Sequence, residues 1–401
     1  MIEFTAAQQL VLKEISILGH ESVHIMDCLG RVLAEDVRAF ADLPAADNSA
    51  MDGFAVRADD LSKASSETPV RLKVVGEIRA GYPLDTEVKP GQAIRIMTGG
   101  LIPKGANAVI RDEDTELVGD VVLCTAPVAE RSHIRFAGEN AKTGQIMIRA
   151  GEQLAPPEIG LLAALGQPQV SVYRKATVAI LSTGDELVEL GEPLSKGKVI
   201  CSNSYSLAAQ VLQCGATPLR LGIARDKAQD IVTLLSKAAD ADVIVSSGGV
   251  SVGKHDLVRR VLEKARLEIG FWKVAMKPGK PLLFGKLGTK PVFGLPGNPG
   301  AATIAFEQFV RPALLKMMGH QKIFRPLVEA RLHGSTANFT DMVHFLRCKL
   351  HNESGRSIAE LLPKQGPAIL RTEIGTDGLV VLPPHSGVVG RGEAVMVQIL
   401  S

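Results

Sequence analysis

The sequence predicts a multi-domain fold in which a central α/β domain with a mostly parallel sheet is combined with smaller β domains. The first observation is length, because 401 residues correspond to two to four domains of roughly 100–200 residues each. The second is that nearly continuous apolar strands alternate with helical patterns between residues 175 and 320. This alternation is typical of a parallel sheet covered by helices on both faces. The third is that short strand patterns occupy residues 51–138 and 325–401.

The composition is that of a globular protein, with 46% hydrophobic and 22% charged residues. A formal net charge of +2 argues against a general nucleic-acid binder. The five cysteines form no Cys-x-x-Cys pair, which fits reduced thiols in a cytosolic protein. No apolar run approaches the roughly 18 residues of a membrane span, and the N-terminus lacks the pattern of a signal peptide. We therefore expect a cytoplasmic protein without nucleic-acid or membrane partners.

In chain order, the sequence first predicts a helix over residues 3–18 and a loop from Ala41 to Ala50. The strands predicted next are FAVRA, RLKVVGEI, QAIRIM, NAVIRD and VVLCTA. PEIGLLAALG predicts a helix with Pro157 in its first turn and Gly166 beyond its end.

The α/β region predicts strands at ATVAILST, PLRLGIA, DVIVSSGG, PLLFG and PVFGLPG. The predicted helices between and after them are SNSYSLAAQVLQC, AQDIVTLLSKAA, HDLVRRVLEKA and PGAATIAFEQFVRPALLKMM. The last predicted strands include HFLRCKL, GLVVLP and EAVMVQIL, which form the C-terminal β domain.

Unusual residues collect where strands of the α/β region end, which is the edge of a parallel sheet where ligands bind. After the strand VAILS, the segment STGDE over 182–186 contributes the adjacent carboxylates Asp185 and Glu186, and Asp226 follows the next strand. Carboxylates in this place suit a hard cation such as magnesium. The alternative is that Asp185 caps a helix.

A second junction, SSGGVSVGKHD, has two adjacent glycines, Gly248 and Gly249, that allow a close backbone approach to an anion. Residues 248–254 match the spacing of a phosphate loop, but His255 stands where that motif needs Ser or Thr. A nucleotide-binding phosphotransferase is therefore an alternative function. A tight structural turn is the other interpretation.

Two further junctions suit anions. Lys273, Lys277 and Lys280 lie within eight residues, and their mutual repulsion favours a phosphate-rich ligand over a solvated loop. In GLPGNPG, Asn298 suits a helix cap and Pro299 the first helical turn, so that the free N–H groups of a helix start face this edge.

The N-terminal half contributes two loops. DNSAMDGFAV places Asp52 before a strand, and IRIMTGG ends a strand at Thr98, Gly99 and Gly100. The first loop suits either a functional site or an Asp-Gly turn, and the second either an oxyanion site or a simple turn.

Together these strings resemble the molybdopterin molybdenumtransferase family, which includes the E domain of gephyrin. The matching motifs, in the order of the family, are DNSAMDGFAV, IRIMTGG, STGDEL, SSGGVSVG, KPGKP and GLPGNP. Each motif is weak alone, but the whole series is specific and covers essentially the whole chain.

The resemblance implies four domains and an elongated homodimer. Domain I is a discontinuous linker domain of residues 1–50 and 139–174, and domain II is the β insertion 51–138. Domain III, residues 175–324, is the α/β molybdopterin-binding domain, and domain IV, residues 325–401, is the C-terminal β domain. In the dimer, the loops bearing Asp52 and Thr98 face domain III of the other subunit.

The implied reaction joins molybdate to adenylylated molybdopterin with magnesium and releases AMP. The partners implied are a molybdopterin adenylyltransferase upstream and molybdoenzymes or their chaperones downstream. The residues implied in catalysis are Asp52, Thr98, Glu186, Asp226, Asp256, Lys273 and Lys277, of which Glu186, Asp226 and Asp256 bind the metal. The residues implied in substrate binding are Ser182, Thr183, Gly184, Asp185, Ser247, Gly248, Gly249, Val250, Ser251, Lys280, Pro296, Gly297, Asn298 and Pro299.

One position departs from the family pattern. Gly138-Glu139-Asn140 stands where the family often has Gly-Glu-Asp. Because an amide does not ionise, an acid–base or metal role at residue 140 is in doubt. A paralogue that only binds molybdopterin is therefore a further alternative.

Overall fold

The computed structural model describes residues 1–249, 257–264 and 266–400. The chain forms two compact units. Unit 1 consists of Met1–Glu35, Gly151–Pro156 and Gln169–Ser401, and unit 2 of Asp36–Ala150 and Pro157–Pro168. The boundaries of the four predicted domains stay a prediction. Within the ranges that the structure describes, no helix combines the length and the apolar character needed to cross a membrane.

Unit 1 is built around a central sheet that, in the described residues, has six strands. They are β1 (Thr177–Thr183), β2 (Thr217–Ala224), β3 (Val243–Ser247), β4 (Glu268–Trp272), β5 (Leu283–Leu287) and β6 (Lys290–Leu295). The strand order is β2-β1-β3-β6-β5-β4. The first four strands in this order are parallel, whereas β5 and β4 are antiparallel to their neighbours. The prediction of a mostly parallel sheet is confirmed, and the two antiparallel strands lie together at one edge.

Helices cover both faces of the central sheet. The helices of unit 1 are α1 (Phe4–Glu14), α2 (Ser202–Gln213), α3 (Ala228–Ser236), α4 (Leu257–Lys264), α5 (Pro299–Ala305) and α6 (Arg311–Met317). Because side chains alternate along a strand, Val178 and Ile180 of β1 join the core formed with α1, α2, α5 and α6. Ala179 and Leu181 face the opposite way and join the core formed with α3 and α4.

Two helices differ from their predicted lengths. The helix predicted over 3–18 ends at Glu14, because Ile15 is extended with φ −91° and ψ 121°. The single helix predicted from residue 299 to 318 is interrupted by a π-helical turn, Phe306–Val310, between α5 and α6. Pro312 has no N–H to donate to the carbonyl four residues earlier, and that carbonyl, of Gln308, instead accepts a bond of 2.9 Å from the Gln8 side chain.

The C-terminal part of unit 1 is a closed ring of five strands. In ring order they are Val343–Glu353, Arg356–Leu361, Leu327–His333, Ala394–Ile399 and Gly378–Leu382, and the last pairs with the first. The short strand Met276–Lys277 joins the first of these strands, with Lys277 opposite His344. This pairing fixes the lysine-bearing loop of the α/β region against the C-terminal β structure. The remaining paired segments of unit 1 are His20–His24 with Gln169–Tyr173, Leu187–Val188 with Val199–Ile200, and Thr336–Asn338 with Gly387–Val389.

Unit 2 contains the predicted β insertion. In the order of the sheet, its strands are Ala108–Arg111, Gly53–Val56, Gln92–Ile96, Val70–Ile78, Val121–Cys124 and Thr115–Val118. Short pairs join Val37–Arg38 to Ile146–Ile148 and Asn48–Ser49 to Ile134–Arg135. The helix predicted at PEIGLLAALG spans Pro156–Ala164, and Gly166 follows it with φ +69°. Short 3-10 turns lie at Ile25–Asp27 in unit 1, and at Ala58–Leu61 and Asp112–Asp114 in unit 2.

Candidate active site

The candidate site lies where the order of the parallel strands reverses. From β1 the chain first adds β2 on one side and then β3 on the other, so the loops after β1 and β3 diverge and leave a crevice. A cavity of about 220 Å³ occupies this place. The predicted residues that line it are Ser182, Thr183, Glu186, Ser247, Gly248, Gly297, Asn298 and Pro299. The structure therefore brings together side chains from three separate motifs.

Several polar atoms at this crevice are buried without a hydrogen-bond partner in the described residues. They are Ser182 Oγ, Thr183 Oγ1 and Asn203 Oδ1, and Ser246 Oγ on β3 is in the same state. Leaving such groups unpaired costs about 1–3 kcal/mol each, and proteins rarely tolerate it without a reason. A ligand or water in the cavity would supply the missing partners.

Asn203 is a cavity-lining residue that the sequence analysis did not identify. It lies in the first turn of α2 and is 8% exposed. Its Nδ2 donates to Ser247 Oγ at 2.7 Å and to Gly297 O at 2.9 Å, so it links the end of β3 to the loop after β6. Because a carbonyl only accepts, the atom facing Gly297 O is the amide nitrogen, and Oδ1 is left as the unpaired acceptor. The sequence feature that could have indicated this role is the position of Asn203 at the start of a helix that follows a strand.

Close backbone approach explains the glycines at the crevice. Gly248 has φ +88°, and a Cβ there would lie 2.7 Å from Thr183 O, so only glycine fits between the ends of β1 and β3. At Gly184, with φ +148°, a Cβ would meet the Glu186 carboxylate at 2.5 Å. Val250, Ser251, Lys254, His255 and Asp256 lie outside the described residues, as does most of the alternative phosphate loop.

The carboxylates after β1 and β2 are exposed and close in the fold. Asp185 Oδ1 accepts a bond of 3.1 Å from the N–H of Asp226, and Asp226 Oδ2 accepts one of 3.4 Å from the N–H of Asp185. The interpretation of Asp185 as a helix cap is wrong, because a turn and the strand Leu187–Val188 follow it. Among the described residues, no three His, Cys, Asp or Glu side chains converge as a metal site would require.

The three lysines that the sequence groups together do not all lie at the same place in the structure. Lys277 and Lys280 line a second cavity of about 510 Å³, together with Pro296 and Asn298. Asn298 lines both cavities, so they adjoin at the start of α5. Lys273 does not line it, and its Nζ lies 4.3 Å from the centre of the Trp272 ring.

The start of α5 matches the sequence prediction in position. Asn298 is the cap residue and Pro299 the first residue of the helix, but within the described part of the chain the Asn298 side chain makes no capping bond. The walls of the second cavity include His344, whose pKa is lowered by burial and by the charge of Lys277. His344 is therefore neutral at neutral pH and leaves the positive charge at this wall to the lysines.

The two N-terminal loops meet within unit 2. Asp52 Oδ1 accepts bonds of 2.7 Å from both the backbone N–H and the hydroxyl of Thr98. These bonds, the backbone bond first, hold the pKa of Asp52 below its usual value. Asp52 is thus an ionised, oriented and exposed carboxylate. The N–H of Asn140 donates to Leu43 O at 2.9 Å, and Asn140 is itself exposed.

Comparison with known proteins identifies the family. Residues 2–166 match the MoeA N-terminal region (domain I and II), residues 179–316 a probable molybdopterin binding domain, and residues 329–400 the MoeA C-terminal region (domain IV). A molybdopterin molybdenumtransferase from Nostoc sp. is 42% identical over 318 residues, which cover 78% of this chain and 73% of that protein. The one from Haemophilus influenzae is 35% identical over 94% of this chain and 93% of its own length.

Solved structures agree with these relatives. A molybdopterin biosynthesis MoeA protein from Pyrococcus horikoshii has 33% sequence identity, covers 100% of both chains and superposes with a TM-score of 0.85. The predicted fold class is therefore confirmed. The chain belongs to the molybdopterin molybdenumtransferase family, a family of enzymes of molybdenum cofactor biosynthesis, as the series of sequence motifs predicted.

Proposed function

We propose that this protein inserts molybdate into adenylylated molybdopterin, with magnesium, and releases AMP. The observation that carries the proposal is the pair of adjoining cavities at the carboxyl edge of the central sheet. One offers tight glycine turns and buried hydroxyls that have no partner within the described part of the chain, and the other offers two lysines. Together they suit a large anionic substrate beside a small oxyanion.

The groups of the first cavity suit the phosphate-bearing part of the substrate. Among the residues that the structure describes, the hydroxyls of Ser182 and Thr183 have no partner and can donate to a ligand, and Gly248 allows the backbone to come close to an anion. Asn298 and Pro299 begin a helix whose first N–H groups attract negative charge.

The lysines suit the oxyanion. Lys277 and Lys280 are exposed on the wall of the larger cavity, where they can bind phosphate or molybdate oxygens. Lys273 stays in the proposal as a further positive charge on the same loop, although its ammonium rests on Trp272.

The carboxylates fit magnesium, which prefers oxygen ligands and usually takes one or two carboxylates with substrate phosphates and water. Glu186 and Asp226 would hold it, with Asp256 as the third carboxylate of the proposal. Both described carboxylates are exposed at the sheet edge, and the paired bonds between residues 185 and 226 fix the two loops to each other. Magnesium, when bound, would neutralise the pyrophosphate and polarise the bond to be cleaved.

We further propose that the protein acts as a homodimer, in which Asp52 and Thr98 of the partner subunit complete the site. The support is that Asp52 is oriented and kept ionised although it is exposed and belongs to unit 2. The family implies a cytoplasmic location, a molybdopterin adenylyltransferase upstream, and molybdoenzymes or their chaperones downstream.

The test is incubation of the full chain with adenylylated molybdopterin, molybdate and magnesium, followed by measurement of AMP. We expect AMP release that depends on both molybdate and magnesium. Parallel reactions with ATP in place of the pterin substrate address the phosphotransferase alternative. ATP turnover without AMP release from adenylylated molybdopterin would overturn the proposal, and tight binding of the pterin without turnover would favour the binding-only paralogue.

A further inference from the structure

A third cavity of unit 1, here called the basic cavity, lies apart from the candidate site. Its volume is about 300 Å³, and it shares no lining residue with either cavity described above. Five permanently cationic side chains line it: Arg31, Lys175, Arg311, Lys322 and Arg325. Arg31 follows the strand His20–His24, and Lys175 lies just before β1. Arg311 is the first residue of α6, and the other two lie in the segment after this helix.

The positive charges of the basic cavity exceed the carboxylates that pair with them. Glu21 Oε1 lies 2.5 Å from Arg31 Nη2. The buried Glu307 carboxylate lies 2.8 Å from Arg325 Nε and 3.5 Å from Arg311 Nε.

Lys175 and Lys322 are exposed and have no ion pair or side-chain hydrogen bond within the described residues. The basic cavity therefore carries an excess of three positive charges, in a chain whose whole formal net charge is +2.

The walls of the basic cavity are fixed before any ligand binds. Arg31 is only 9% exposed, and its guanidinium also donates to Tyr173 O at 2.7 Å. Gly319 has φ +81°, and a Cβ there would lie 2.2 Å from the Tyr173 ring, so the chain after α6 turns closely over this ring. The N–H of the next residue, His320, donates to Leu315 O at 3.0 Å, which holds His320 at the cavity wall.

Burial makes the positive charge costly in the free protein. Desolvation lowers the pKa of the Arg311 guanidinium, and desolvation together with the charge of Arg311 lowers the pKa of His320. Burial is the first cause of both shifts, and at Arg311 the nearby Glu307 carboxylate opposes it only in part. An anion in the cavity would stabilise the same groups, and guanidinium forks suit the paired oxygens of phosphate.

We propose that the basic cavity binds a small, multiply charged oxyanion of the phosphate class, such as a diphosphate or a compact phosphate ester. The inference does not rest on the proposed reaction, because no lining residue is shared with the candidate site. It assigns a second anion site to each chain.

Calorimetric titration with inorganic pyrophosphate tests the proposal. The full chain carries Lys277→Ala in all samples, which weakens competing binding at the larger cavity of the candidate site. The test variant adds Lys175→Gln and Lys322→Gln. The matched control instead adds Lys63→Gln and Lys237→Gln, two exposed lysines that line none of these cavities and change the net charge equally.

We expect pyrophosphate to bind the parent and the control alike, more weakly at higher salt, and at least about tenfold more weakly to the test variant. Exposed lysines without partners contribute little to folding, and equal melting temperatures of the three proteins without ligand check this. Equal affinity of test variant and control would overturn the proposal, as would no binding to the parent at millimolar pyrophosphate.

Discussion

Replacing Asn203 with alanine separates the role of this side chain in the fold from its role in the site. The change removes the donors to Ser247 Oγ and Gly297 O and the unpaired acceptor Oδ1. The Ser247 hydroxyl keeps its existing bond to Pro296 O at 3.5 Å, and Gly297 is exposed enough for water to replace the donor that its carbonyl loses. Two partly replaceable bonds at about 0.5–1.5 kcal/mol each predict a loss of about 1–3 kcal/mol in the free energy of unfolding.

Asn203→Ala should weaken ligand binding by more than the loss in the free energy of unfolding alone would suggest. Asn203 links the end of β3 to the loop after β6, and both line the cavity. Without the link the loop after β6 must be ordered by the ligand, and the ligand also loses an acceptor. We expect adenylylated molybdopterin to bind at least tenfold more weakly, measured by calorimetry beside urea unfolding of the free protein.

Gln210 provides the matched control. It lies on the same helix, donates from its amide to Thr303 O at 3.2 Å, and also has a buried unpaired oxygen, but it lines none of the cavities described. Gln210→Ala removes one such bond, so it should lower the free energy of unfolding by about 0.5–1.5 kcal/mol and leave the affinity unchanged. If both variants lose stability and both keep the parent's affinity, the assignment of Asn203 to the site is refuted.

Four further substitutions test the remaining proposals. The homodimers of Asp52→Asn and of Glu186→Gln should each lose most AMP release. When equal amounts of the two variants exchange subunits, half the dimers contain one intact site, so the mixture should recover about a quarter of the parent activity. No recovery would contradict the shared site. Glu186→Gln alone should lose activity at low magnesium and recover partly at high magnesium, and normal activity at every magnesium concentration would exclude a metal role. Lys277→Ala should weaken binding of adenylylated molybdopterin with a loss that shrinks at high salt, and unchanged affinity at low salt would remove this lysine from the site. Asn140→Asp should keep or raise AMP release, and a large loss would show that the amide is required.

Much of the α/β architecture could be predicted because the inner strands β1 and β3 are buried on both faces. The β1 strand TVAILST contains the unbroken apolar run VAIL, and its flanking helices have an apolar face, so type and order follow from periodicity. The antiparallel edge was missed although the chain carries a signal for it. Only Gly288 and Thr289 separate β5 from β6, which is too short for a crossover and long enough for a hairpin.

The sequence could predict which strand ends form the candidate site, but it could not predict the individual side-chain contacts there. Strand ends identify Ser182, Thr183 and Gly248 without knowledge of the strand order. Asn203 depends on a contact across 94 residues of chain to Gly297 O, which no local pattern reveals. For Lys273 the sequence predicts a site residue that the structure places elsewhere. Its spacing groups it with Lys277, yet its ammonium lies over an aromatic ring outside the cavity.

The unpaired polar groups at this sheet edge explain why residues that favour ligand binding do not also favour the stability of the free protein. The inner strands of the sheet bury their apolar side chains, yet Ser182 and Thr183 at the end of β1 bury hydroxyls that have no partner among the described residues. Alanine at such a position would remove an unsatisfied group and make the free protein no less stable. Polar residues there are consistent with the proposed ligand, which would supply partners for these hydroxyls when it binds. Because the hydroxyls are already desolvated and held by the sheet, their bonds to the ligand would contribute to affinity at a lower cost of desolvation and ordering.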